Sequence, residues 1–121
     1  MPQLNAVSHL TLVRARAGCS ARVEACLSQL IEPTLQTPGC LHFALQQSLC
    51  DSELWLVSGF WVDQTAMTAY FGSPAMAVFS ELVQGLVVNR LDFHTFSDVS
   101  AEQARGSYHL PDVPVMQQWA S

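Results

Sequence analysis

The chain has 121 residues, half of them apolar and only 12% charged, with ten acidic residues against five arginines and a net charge of −5. That length is one domain, the scattered arginines form no phosphate-tracking stripe, and no apolar run reaches the ~18–20 residues of a membrane helix. There is no lysine, which removes P-loop phosphate binding and Schiff-base chemistry.

Four cysteines (Cys19, Cys26, Cys40, Cys50) show neither a CxxC pair nor a metal-ligand spacing with histidine. They read as free thiols in a reducing compartment. The first residues lack a basic stretch followed by an apolar core, so a cytoplasmic location is expected.

Ser8 to Ala15 alternates and reads as the first strand, with Leu10 and Leu12 on one face. Gly18 interrupts it, and Ser20 is placed to cap the helix that follows. Val23, Cys26, Leu27, Leu30, Ile31 and Leu35 then recur at helical spacing. Pro33 falls late in that stripe and is expected to kink or end the helix near Glu32. Pro38-Gly39 completes the exit.

The second strand is Leu41 to Gln47, with Leu41, Phe43 and Leu45 on one face and His42, Ala44 and Gln46 on the other. A turn at Asp51-Ser52 leads to the third, Glu53 to Val62. One of its faces carries Trp55, Val57, Gly59 and Trp61; the other carries Leu54, Leu56, Phe60 and Val62. A strand apolar on both faces needs cover on both. Helices of the same chain supply one cover, and the sheet of a second subunit is the simplest source of the other.

Asp63 caps a short helix bearing Ala66, Met67, Tyr70 and Phe71, which Gly72 ends. Ser73-Pro74 starts another, because proline at the first position loses no needed hydrogen bond. Its buried stripe is Met76, Phe79, Leu82, Val83 and Leu86. Val87 to Phe96 alternates again as the last strand. The order is strand, helix, strand, strand, helix pair, strand: an α+β, four-stranded antiparallel sheet with its helices on one face. Residues 1–97 form this domain. Residues 98–121 are a Ser/Pro/Gly/Gln-rich tail, expected to lie over the sheet or a partner through Met116 and Trp119.

Between Ser8 and Phe96 the chain resembles the antibiotic biosynthesis monooxygenase family of the dimeric ferredoxin-like α+β superfamily. The resemblance rests on Pro38-Gly39-Cys40-Leu41-His42-Phe43, on Leu56 to Trp61 before Val62-Asp63, and on Ser73-Pro74 with Phe79 downstream. It implies a homodimer, an α+β barrel formed by two copies, and a pocket between sheet and helices in each. Family activities range from cofactor-free oxidation of aromatics and quinols to haem degradation and isomerisation, so the fold does not fix the reaction. Many members carry Glu two residues before the tryptophan and His nine after it; Gly59 and Tyr70 stand at those places here. Haem degraders use a first-strand Asn, and Ser8 is the nearest match. These departures disfavour haem degradation.

The chemistry expected is oxidation of a small aromatic or quinol without metal or cofactor. A deprotonated electron-rich phenol supplies its own electrons to oxygen, leaving the protein to provide a dry pocket and a base. Trp61 and Phe43 are assigned to the pocket wall with Met67, Phe71 and Phe79; Trp55 is further aromatic material. Tyr70 is the substrate's hydrogen-bond partner, and His94 is the candidate base, since a histidine titrates near neutrality. Each has a plainer reading: a core tryptophan, a half-buried helix tyrosine, a hydrogen-bonded strand histidine. His42 is expected to face the dimer interface; His9 and His109 receive no role. The alternative function is a non-catalytic module binding a small molecule, and a third class is an isomerase of a small polar metabolite.

Overall fold

Strands form where the sequence alternates and helices where it repeats every three to four residues. The computed structural model describes residues 5–99. Within them run β1 (Val7–Ala15), α1 (Ser20–Ser28), α2 (Ile31–Leu35), β2 (Cys40–Gln47) and β3 (Leu54–Trp61). Then follow α3 (Gln64–Phe71), a 3₁₀ turn (Pro74–Met76), α4 (Ala77–Gln84) and β4 (Val88–Ser97). The strands make one antiparallel sheet in the order β2-β3-β1-β4. This is the ferredoxin-like α+β arrangement expected, with the helices packed on one face. Among the described residues no helix is long and apolar enough to cross a membrane. The tail with His109, Met116 and Trp119 lies outside the described residues.

Local chemistry explains most boundaries. The Asp63 carboxylate accepts from the Ala66 amide at 2.9 Å, capping α3 as expected. Pro74 opens the 3₁₀ turn that leads into α4. Several details differ from the sequence reading. Val83 and Leu86, expected in the buried stripe of α4, are exposed. Pro33 does not end the first helix but sits in the first turn of a separate one, α2. There its missing N–H is an orphan donor anyway, whereas continuing α1 would press its ring on the carbonyl of residue 29. Ser20 does not cap α1: its hydroxyl donates to the Ser52 carbonyl at 2.6 Å and accepts from Trp55 Nε1 at 2.9 Å. Leu41 does not share the core face of Phe43, because the register shifts between Cys40 and His42 and leaves Leu41 exposed.

Register fixes which side chains meet. Cross-strand partners share a face, so Val7, His9, Thr11 and Val13 of β1 lie with Trp61, Gly59, Val57 and Trp55 of β3 beneath the helices. The core divides along the strands. At one end Val13, Val23, Leu27, Leu30, Val57 and Leu82 form an aliphatic cluster. At the other, Val7, Trp61, Met67 and Tyr70 form a smaller, aromatic one. Among the described residues no helix covers the opposite face of the sheet. There Leu12, Phe60 and Phe96 are 38%, 40% and 50% exposed, with Leu10 and Leu56 half-buried between them.

Candidate functional site

The aromatic end of the core is built around a histidine. His9 lies on the central strand β1, paired with Gly59 on β3 and with Thr95 on β4. Its ring is 4% exposed. Tyr70 stacks on it from α3 at 5.8 Å between centroids and 19° between planes, and Trp61 at 6.2 Å and 25°. Phe71 meets it edge-on at 5.2 Å, and Phe43 lies tilted at 6.5 Å. Four aromatic side chains from β2, β3 and α3 thus enclose one imidazole.

Gly59 makes the enclosure possible. A Cβ at residue 59 would stand 2.4 Å from His9 Nε2 and 3.0 Å from Cε1. Glycine is needed here for close approach rather than for an unusual backbone conformation. The space that a side chain would fill on β3 is filled from β1 by the imidazole.

The polar atoms of the cluster are unevenly satisfied. Tyr70 Oη and Thr34 Oγ1 share a buried hydrogen bond of 2.9 Å, tying α3 to α2. By contrast Nδ1 and Nε2 of His9 and Nε1 of Trp61 are buried with no hydrogen-bond partner among the described residues. Leaving such a group unpaired costs about 1–3 kcal/mol. Burial pushes the His9 pKa down to about 4, so its ring is neutral at physiological pH and one nitrogen has a free lone pair. Burial, seconded by the nearby Cys40, pushes the Tyr70 phenol up against the opposing effect of the Thr34 hydrogen bond. Tyr70 therefore stays protonated: it can donate a hydrogen bond but is not a base.

Two surface concavities adjoin the cluster. A groove of about 480 Å³ between α3, α4 and β4 is lined by Phe71, Met76, Phe79, Val83, Leu91 and Phe93. A recess of about 250 Å³ on the other side is bounded by Val7, Met67, Thr95 and Phe96. Phe71 belongs both to the groove and to the His9 enclosure.

The sequence model of the antibiotic biosynthesis monooxygenases matches residues 6–82, from the start of β1 into α4. The chain belongs to this family. No curated protein matches its sequence, but the family's fold is matched repeatedly among solved structures. A protein from Shewanella oneidensis superposes with a TM-score of 0.74 at 19% identity, over 82% of this chain and 96% of that one. A candidate antibiotic biosynthesis monooxygenase from Deinococcus radiodurans gives 0.71 at 24% identity, over 79% and 94%. Another from Nitrosomonas europaea gives 0.71 at 10% identity, over 84% and 97%. At such identities the likeness is one of fold.

Within this family fold the residues singled out from sequence part into three groups. Trp61, Tyr70 and Met67 come together at the aromatic end of the core with Phe71 packed against them, and Phe43, a member of the larger cluster, reaches the His9 ring from there. Phe79 lies one step away in the aliphatic cluster, edge-on to Phe93 at 5.3 Å, and reaches the site only as a wall of the groove. His94 does not join them. Its register partner is Leu10, which puts it on the helix-free face, exposed and stacked on Phe96 at 6.4 Å. The histidine at the site is His9, which sequence reasoning left without a role. Its signal was a glycine inside an otherwise bulky strand, legible only once the pairing of Gly59 with His9 is known.

Proposed function

We propose that this chain is a monooxygenase that oxidises a small aromatic alcohol or hydroquinone with dioxygen, the substrate itself supplying the electrons. For a hydroquinone the balance is simple: substrate plus dioxygen gives a hydroxyquinone plus water, one oxygen atom entering the ring. The observation that carries the reading is the aromatic enclosure of Trp61, Tyr70, Phe71 and Phe43, with unpartnered nitrogens inside it, in a chain of the monooxygenase family. Flat walls select a planar ring, and exclusion of water protects a reactive carbanion-like intermediate. Tyr70, kept protonated, donates to a substrate oxygen. Phe71 and Phe79 line the groove by which the ring approaches, and Trp61, Phe43 and Met67 form the apolar backing of the site behind it.

The test is oxygen uptake by the purified protein with a panel of hydroquinones and polycyclic phenols. Protein-dependent uptake that falls at least about tenfold in Trp61→Ala is expected, as for loss of a well-oriented substrate wall. No uptake above autoxidation across the panel would replace this reading with the binding module.

We also propose that the helix-free face pairs with a second copy of the chain. Leu12, Phe60 and Phe96 form an apolar face flanked by half-buried Leu10 and Leu56, and surfaces of this kind are sites of association. Light scattering is expected to give a dimer that Phe60→Asp dissociates; a monomeric wild type at micromolar concentration would end the proposal.

A further inference from the structure

We propose that His9 is the proton acceptor of the pocket: it takes the hydrogen of an aromatic hydroxyl group, from a seat that exists because residue 59 is glycine. This rests on the monooxygenase reading for its substrate class.

The seat is specific. The ring fills the volume over Gly59, and the methyl group of an alanine there would overlap Nε2 at 2.4 Å. Nothing about the Gly59 backbone demands glycine, so the residue serves the imidazole alone. A histidine with a purely structural part normally ties a ring nitrogen to a carbonyl or carboxylate. Neither nitrogen of His9 is tied among the described residues, although the residue is buried. The polar capacity of the ring is left for a group that the described residues do not supply. Trp61 Nε1, unpartnered in the same cluster, adds a hydrogen-bond donor. A neutral acceptor and a donor among flat walls fit an aromatic hydroxyl, which gives one hydrogen and accepts another.

The electrostatics suit a proton transfer that begins and ends without net charge. Burial keeps the ring neutral, with its lone pair available. When an aromatic hydroxyl enters, its O–H bond breaks and an N–H bond forms on His9, giving imidazolium beside aryloxide. No electrons change hands in this step. The penalty that burial places on the cation is offset by the adjacent anion, whose attraction is strong where water is excluded. The aryloxide is then the species that dioxygen oxidises, and the proton leaves in the water formed. The 480 Å³ groove shares with the enclosure the side chain of Phe71, which is half-buried and stands edge-on to His9.

The experiment uses the full chain, labelled with ¹⁵N in its histidines, and 2-naphthol as a probe that resists autoxidation. Adding the probe is expected to move the His9 ring nitrogens and to leave those of exposed His42 unmoved. Saturating probe with no movement at His9 overturns the proposal. In oxygen uptake, His9→Ala is expected to lose about 10²- to 10⁴-fold, the range of general-base catalysis, and to recover in part with added imidazole. Folded His9→Ala with wild-type uptake also overturns it, while the monooxygenase reading survives. A shift at His9 without uptake of oxygen by any hydroquinone does the reverse: the acceptor stands and the oxidation falls.

Discussion

Two tryptophans on the same face of β3, six residues apart, have opposite surroundings. Trp55 is buried against aliphatic side chains of α1 and the neighbouring strands, and its indole N–H donates to Ser20 Oγ at 2.9 Å. Trp61 is wholly buried among His9, Tyr70 and Met67, and its N–H has no partner. The first follows the usual rule for a buried polar group. The second breaks it, together with the neighbouring histidine. A single strand therefore serves stability at one end and keeps binding capacity unused at the other. The contrast teaches that unpaired polarity, rather than burial or aromaticity, separates the candidate site from the rest of the core.

The largest expected effect belongs to the aliphatic end. Leu27→Ala or Leu82→Ala, at positions 1% and 0% exposed, should cost about 2–5 kcal/mol in urea denaturation. Oxygen uptake per folded molecule should not change. A loss of activity in a folded variant would mean that the two ends are coupled and the contrast is too simple.

Acid should act through the aromatic end. The folded His9 pKa of about 4 lies below its ordinary 6.5, so between these values the unfolded chain binds the proton more readily. The His9 contribution is thus complete above about pH 6.5 and is lost as pH falls towards 4, by about 3 kcal/mol at 1.36 kcal/mol per unit. Tyr70, the titratable side chain stacked on the ring, stays neutral throughout this range. Denaturation curves from pH 7 to 4 should steepen this loss in wild type relative to His9→Leu. Equal pH dependence in the two proteins would show that the ring is not buried as described.

At fixed neutral pH the same pair separates stability from function. Gly59→Ala should cost about 1–3 kcal/mol as an overpacked site and should abolish the response of His9 to 2-naphthol. His9→Leu removes two unpaired nitrogens and should leave the protein as stable as wild type or more so, by up to about 1–3 kcal/mol, while oxygen uptake falls. A marked destabilisation by His9→Leu would argue that the nitrogens are paired in solution.

The smallest effect should come from Ser20→Ala, which orphans the indole of Trp55 and frees the Ser52 carbonyl. It should cost about 1 kcal/mol with unchanged oxygen uptake. A larger effect on uptake than on stability would contradict the division of β3.

Sequence alone determined the element order, the antiparallel α+β class and the family. Alternation, helical spacing, and the punctuation of Asp63, Gly72 and Pro74 are local signals that survive packing. It also assigned Trp61, Phe43, Met67, Phe71 and Phe79 to one pocket wall with Tyr70 beside them; Phe79 packs instead in the other cluster. Local period could not say that Leu10 and Leu12 face away from the helices, because alternation gives two faces without naming the covered one. Nor could it say that Leu41 bulges, or that Pro33 begins a helix. The choice of histidine was the largest thing left to tertiary structure. His9 and His94 both alternate within strands, and only the pairing of β1 with β3 and β4 sets one over Gly59 beneath the helices and the other on the open face. Register is a non-local property, fixed by which faces bury together, and so the histidine of the aromatic cluster was invisible until the sheet was assembled.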